Sequence, residues 1–400
     1  MHQLSIQSLK DGIWPLWYRF RFFADLPGIL RILAYRKLRS KFYKEFWAEI
    51  ATNIGAEIHF DGFGFTRINS NDLTTFVKQY QVMLDSPIML DVMGNKGLTY
   101  QMLTGLGAPI VPHQIFPISD MAEAESFLAK HNRVVIKPSS GTGGGRGVTT
   151  GISSTNQLKS AARLAARFDK NLIIEKQVEG GSYRLLFLNG QFIDAIRRDP
   201  PVVVGDGLLT IKQLVKLENK HRMDVMPIRA LSPLVIDKDA HNWLAEIGLS
   251  LSYVPNMGEV VQIKRAVNEN NYNGNVNVTR QVNQDVISGC SYLVEKVGAK
   301  FVGVDLICKD ISGPFISNNC LIGEINTTPG LHHHYLIANP EQGNPVAETL
   351  LEYMFSKKVG VMELGRRNTS LVPPDMYFDE EGYYCQDDIR TQKVPADGVS

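Results

Sequence analysis

Apolar positions repeat with a helical period over residues 42–54. Phe42, Phe46, Trp47, Ile50 and Ile54 fall on one side of a helix that ends near Gly55. A second stripe runs through Leu158, Ala161, Ala162, Ala165 and Phe168. Ser154 stands where an N-cap belongs, so the pattern predicts an amphipathic helix over 154–169. KGLTYQMLTGL at 96–106 and the segment near 283–298 also have helical spacing. Between them the pattern is that of strands. Residues 57–60 and LIIE ending at Glu175 predict short strands, and YRLLFLNGQFIDAIR at 183–197 predicts two strands around Asn189-Gly190, a strong hairpin signal. FVGVDLI at 301–307 and CLIGEIN ending at Asn326 predict two more. The prolines of GAPIVPHQIFPI force an extended path. There are no internal repeats, and the polar tail beyond residue 360 has no pattern that places it.

Composition narrows the class. With 400 residues and 44% hydrophobic content, the chain can bury a large core divided into two or three lobes. A net charge of +1 gives no argument for a nucleic-acid partner. Residues 10–45 hold nine Lys or Arg against Asp11, Asp25 and Glu45, with aromatics interleaved as in WYRFRFF at 17–23. A helical lobe with a solvated basic face accounts for this, and a membrane-surface or docking helix is the alternative. No stretch approaches about 18 uncharged apolar residues, and the start lacks the layout of a secretory signal. Cys290, Cys308, Cys320 and Cys385 show no C-x-x-C spacing and are expected to be free thiols. These features predict a soluble, cytoplasmic protein with no transmembrane segment.

The candidate chemistry begins at VVIKPSSGTGGGRGVTTG, residues 134–151. Glycines let backbone N–H groups approach an anion closely. Neither a P-loop nor a dinucleotide fingerprint fits, because the chain has no Gly-Lys dipeptide and the glycines are not spaced G-x-G-x-x-G. An acidic cluster follows later. Glu324 and Asn326 are two apart on a predicted strand and leave the same face. Asp305 sits in an apolar strand, where an acid is costly to bury unless paired or bound to metal. Asp, Glu and Asn oxygens suit Mg²⁺ held together with phosphates. A satisfied core acid is the structural alternative.

Lys137, the glycine loop, the Glu175–Val178 strand end before Gly180-Gly181, and the distant acidic cluster together resemble the ATP-grasp superfamily. The likeness is strongest to the ATP-grasp region of cyanophycin synthetases, and more distant to glutathione synthetases and D-alanine–D-alanine ligases. It rests on IKPSSGTGGGRGVTTG, EKQVEGGSYRLLFLNGQ, RRDPPVVVGDGLLTIKQLV, GVDLI, GEINTTPGLHHHY and NPVAETLLEYMF, in family order over residues 90–355. The resemblance implies an α+β ATP-grasp fold, with two α+β lobes clasping ATP after a smaller N-terminal α/β lobe. The implied divisions are an N-terminal helical, basic lobe at 1–90, a linking segment at 91–130, a small lobe at 131–205, a large lobe at 206–355 and a tail at 356–400.

Roles follow position by position as the resemblance implies them. Lys96 and Lys137 contact ATP phosphates, and Gly143, Gly144, Gly145, Arg146 and Gly147 form the mobile loop over them. The backbone of Glu175, Lys176, Gln177 and Val178 holds adenine. Ser182 stands where relatives often carry an acid that contacts ribose. Asp305, Glu324 and Asn326 bind Mg²⁺, as two ions, with Mn²⁺ able to substitute. Arg184 and Arg198 face the transferred phosphoryl group and the carboxylate, with a surface salt bridge as the competing role. His334 falls where cyanophycin synthetases place a histidine, while the run His332–His334 could alternatively ligate metal. The implied activity is ATP-dependent joining of a carboxylate to an amine, on an amino acid or small peptide, by a homo-oligomer (dimer or tetramer). A non-catalytic ATP-binding scaffold and phosphoryl transfer through a phosphohistidine are the alternatives. NENNYNGNVNVT replaces the family's glycine-rich acceptor loop, so a different acceptor is expected. With one ATP site and no second Mur-ligase-like half, the chain is not expected to build a branched polymer unaided.

Overall fold

The computed structural model describes residues 26–60, 63–141, 145–224, 226–364, 376–378 and 384–386. Helix α1 (Leu26–Asn53) comes first. Its Tyr43, Phe46, Trp47, Ile50 and Ala51 are buried, with Phe42 and Ile54 at the edges of the same stripe. They pack with Ile68 and Val77 of an antiparallel sheet made of β1 (Glu57–Phe60), β2 (Thr66–Ser70) and β3 (Leu73–Val77). The N-terminal lobe is therefore α+β rather than α/β. Asn71-Asp72 joins β2 to β3 with Asn71 at φ 53°, and so short a turn can connect only antiparallel strands.

Two helices lead into the first large element. They are α2 (Pro87–Gly94) and α3 (Lys96–Gly105), capped by the side chains of Ser86 and Asn95. Then come β4 (His113–Pro117), α4 (Ala122–His131), β5 (Val134–Pro138), β6 (Thr149–Ile152), α5 (Thr155–Ala165) and β7 (Asn171–Lys176). The strands form an antiparallel sheet in the order β4-β7-β5-β6. Leu158, Ala161, Ala162 and Ala165 of α5 are buried against Val134, Ile136, Leu172 and Ile174. Ser154 caps α5 as its sequence position predicts, whereas Phe168 lies beyond the helix end and is exposed.

The second sheet draws on distant segments. β8 (Gly181–Leu188) and β9 (Gln191–Arg198) form the predicted hairpin, with Asn189 and Gly190 both at positive φ. β10 (Val202–Val204), α6 (Ile211–Asp224), α7 (Lys238–Glu246) and β11 (Val260–Gln262) share a small core of their own. The chain returns through β12 (Asn275–Asn277), α8 (Gln284–Val297), β13 (Phe301–Cys308) and β14 (Cys320–Thr327). It closes with α9 (His332–Tyr335), α10 (Val346–Lys357) and the pair β15 (Met376–Phe378) and β16 (Tyr384–Gln386). The large sheet is antiparallel in the order β12-β9-β8-β13-β14. A lobe boundary at 205 thus cuts through this sheet, because β8 pairs along its whole length with β13. Likewise β4, from the linking segment, belongs to the first sheet.

Alternation sorts the side chains of the large sheet. Leu185, Phe187, Ala195, Val302, Val304 and Leu306 share a core with Val286, Cys290, Leu293, Val294 and Val297 of α8. The opposite face carries the polar groups. One row across it reads Asn277, Ile196, Arg184, Asp305, Glu324, and another reads Asp194, Leu186, Gly303, Asn326.

Cys308 and Cys320 lie opposite each other on β13 and β14 and form a disulfide. This corrects the free-thiol expectation for both, since antiparallel pairing brings together two cysteines whose spacing carries no motif. Cys290 is free and buried, and the side chain of Cys385 lies outside the described residues. Among the described residues no helix is long and apolar enough to cross a membrane. The WYRFRFF segment lies outside the described residues.

Candidate active site

The polar face of the large sheet meets the smaller sheet across α3. Lys96 and Tyr100, four apart on α3, both turn toward the junction. The Lys96 ammonium is 2.9 Å from Glu324 on β14. Tyr100 is buried and donates to the Gly323 carbonyl at 2.6 Å and to the Glu175 carboxylate. Lys137 on β5 pairs with Glu175 on β7 and donates to the Tyr100 hydroxyl at 3.0 Å. Val135 lies opposite Glu175, so Lys137, two residues on, shares its face. Burial, together with the Glu175 charge, raises the Tyr100 hydroxyl well above its ordinary value, so it is a proton donor throughout the physiological range.

A second cluster lies two strands away. Arg184 on β8 binds Asp305 on β13 in a bidentate fork, with both contacts at 2.7 Å. Arg198 comes within 4.0 Å of the same carboxylate and donates to the Asn268 amide oxygen at 3.0 Å. The Asn326 amide donates to Asp305 at 3.2 Å. Burial opposes the Asp305 charge, but the Arg184 guanidinium outweighs it and holds the carboxyl below its ordinary value. Burial and neighbouring Arg184 push Arg198 down to about 10. Four cations, Lys96, Lys137, Arg184 and Arg198, thus meet three carboxylates, Glu175, Asp305 and Glu324.

The glycine loop spans β5 to β6 beside these groups. Gly143 and Gly144 lie outside the described residues. Gly145 and Gly147 adopt φ of 72° and 79°, which favours glycine, and a Cβ on Gly145 would collide with the Asn268 amide. The Asn-rich segment therefore lies against the glycine loop and also holds Arg198. Arg146 is exposed between the two glycines. In the Glu175–Val178 segment, the Lys176 N–H donates to Pro112 and the Gln177 N–H to Arg133. Those two donors are committed within the protein. Ser182 is on β8 opposite Arg198.

His334 is fully buried beside the sheet. Its Nδ1 meets the Asp194 carboxylate on β9. His332 Nδ1 instead meets the Tyr43 hydroxyl at 2.8 Å. Among the described residues, no group of three or more His, Cys, Asp or Glu gathers as metal ligands, so the histidine run is not a metal cluster. The rings of His332 and His333 lie against each other with centroids 4.0 Å apart, while His334 turns away to Asp194.

Tyr100, Asp194 and Asn268 were not among the sequence-derived candidates. Tyr100 could have been found four residues from Lys96. Asp194 carried the signal that exposed Asp305, an acid inside an apolar strand. Asn268 carried none beyond membership of the Asn-rich loop.

No family model matches the chain. Cyanophycin synthetase from Trichormus variabilis is 27% identical over 266 residues, covering 65% of this chain and 29% of that protein. This chain is similar to cyanophycin synthetase. The glutathione biosynthesis bifunctional protein GshAB from Clostridium perfringens is 25% identical over 295 residues, covering 73% of this chain and 38% of the relative. A crystal structure of a bifunctional glutathione synthetase from Pasteurella multocida covers 76% of this chain and 41% of that one, with 23% identity and a TM-score of 0.47. The chain thus spans less than two fifths of the length of these cyanophycin synthetase and GshAB relatives.

Proposed function

We propose that this chain is an ATP-dependent carboxylate–amine ligase that works on an amino acid or small peptide through an acyl phosphate. One observation carries the reading. Lys96, Lys137, Arg184 and Arg198 converge with Asp305, Glu324 and Asn326 at the junction of two sheets, beside a glycine loop. A scaffold has no need of that set. The sequence likeness to cyanophycin synthetase and GshAB supports the same class.

Asp305, Glu324 and Asn326 fit a hard divalent cation once Arg184 releases Asp305 and the Asn326 amide turns its oxygen inward, because two carboxylates and an amide oxygen on adjacent strands are the donors Mg²⁺ takes alongside phosphates. When bound, Mg²⁺ neutralises phosphate charge and orients the γ-phosphoryl group. The chain's own groups do the rest. Lys96 and Lys137 contact phosphate oxygens once their pairings with Glu324 and Glu175 open. Arg184 and Arg198 orient the carboxylate for in-line attack on the γ-phosphorus, and the glycine loop closes to keep water from the acyl phosphate. The carboxylate oxygen bonds to phosphorus and ADP leaves. The amine then bonds to the acyl carbon and phosphate leaves.

Glu324→Gln and Lys137→Ala test this reading. Each is expected to abolish ATP-dependent product formation with an unchanged circular dichroism spectrum. Wild-type turnover in either variant would remove the proposed site.

A further inference from the structure

The Asp194–His334 pair lies outside the phosphate and metal groups, yet it occupies their face of the sheet. Asp194 shares a cross-strand row with Leu186, Gly303 and Asn326, and lies four residues from Arg198 on β9. The turn after β14 folds back over this row. Gly303 makes room for it, since a Cβ there would stand 3.1 Å from Pro329 and 3.5 Å from the Arg184 side chain. That turn delivers His334 onto Asp194.

Asp194 is completely buried and richly bonded. It accepts from Asn277 at 2.7 Å, Thr279 at 2.8 Å and Asn344 at 2.7 Å, as well as from His334. Burial alone would raise its carboxyl, but the bonds from His334, Thr279 and Asn344 leave it below its ordinary value. An ionised carboxylate can only accept, so the imidazole must carry its proton on Nδ1. In a neutral imidazole held this way, the lone pair is on Nε2. Nε2 is buried and has no hydrogen-bond partner. A core histidine placed only for packing would be expected to satisfy both nitrogens.

We propose that His334 Nε2 is the base that takes the proton of the acceptor amine, and that Asp194 is the positioning residue that fixes its tautomer. The inference rests on the ligase reading above and assigns a role in its second step. As the amine nitrogen bonds to the acyl carbon, the acyl C–O bond breaks and its electron pair leaves with phosphate. The nitrogen's proton passes to Nε2, and the resulting imidazolium keeps its Nδ1–H on Asp194. The first step, carboxylate attack on ATP, transfers no proton and needs neither residue.

This separation of steps gives the test. Hydroxylamine, a neutral nucleophile near pH 7, traps acyl phosphates as hydroxamates without a strong base. Purified protein, MgATP and hydroxylamine are combined with a panel of amino acids and dipeptides, and ligation is followed in parallel without the trap. His334→Asn and Asp194→Asn are expected to keep hydroxamate formation within about twofold of wild type, while kcat for ligation falls roughly 100-fold or more. Asn344→Ala, which removes one bond to Asp194 from a surface loop, guards against misfolding of the buried variants. It is expected to lower ligation alone, by about tenfold or less. Equal loss of both reactions in a folded variant, or wild-type ligation in Asp194→Asn, overturns the assignment. No hydroxamate from the wild-type protein with any carboxylate overturns the ligase reading itself.

Discussion

Replacing Asp305 by Asn removes the charge that two guanidiniums share. Arg184 is bound to it twice at 2.7 Å and Arg198 approaches to 4.0 Å, with the arginine side chains 10% and 3% exposed and Asp305 21% exposed. Removing one partner of a buried pair costs about 3–5 kcal/mol, because the other charge is left buried and uncompensated. Partial exposure of Asp305 places this case at the low end, near 3 kcal/mol. At ~2.1 cal/mol/K of unfolding entropy per residue over 400 residues, that is a fall in Tm of about 4 °C. The effect should be non-additive. Arg184→Met with Asp305→Asn removes both charges and should recover most of the loss, which differential scanning fluorimetry can read as a double-mutant cycle. A single variant melting within ~1 °C of wild type, or a double variant no better than the single, would refute the argument that this pair is a coupled, buried unit.

Three more outcomes follow from the geometry. Tyr100→Phe leaves the Gly323 carbonyl and Glu175 without their shared donor, and should cost about 1–3 kcal/mol and weaken ATP binding through Lys137, read by melting and nucleotide titration. Gly145→Ala forces a Cβ into Asn268 at a positive φ and should raise the ATP concentration needed for half-maximal turnover, while unchanged kinetics would show that the loop does not use this contact. Burial, with neighbouring Arg39 for His332 and with His332 for His333, holds both imidazoles well below their ordinary value. The unfolded chain then takes up protons that the folded one refuses, so stability should fall as pH drops below about 6.5, by up to ~1.4 kcal/mol per unit per histidine. His333→Gln should flatten that slope, and a wild-type melting curve flat from pH 7 to 5 would contradict it.

The elements were legible where local signals were strong. Asn189-Gly190 announced its hairpin, the Leu158–Ala165 stripe its helix, and Asp305 its unusual place in an apolar strand. What stayed hidden was long-range. QFIDAIR shows an acid in a strand as plainly as FVGVDLI does, but nothing local says that a histidine 140 residues later will cover Asp194. The lobe boundary failed for the same reason. β8 and β9 follow β7 directly in sequence, and only the register with β13 assigns them to the other sheet. The disulfide was equally invisible, because its two cysteines meet only once β13 and β14 pair.

The central claim is tested most directly by ADP release from MgATP with amino acids and short peptides, singly and in pairs, with mass spectrometry of every positive mixture. Release that requires two substrates, with a product lighter than their sum by one water, is expected. ATP binding without ADP release in any mixture would contradict it.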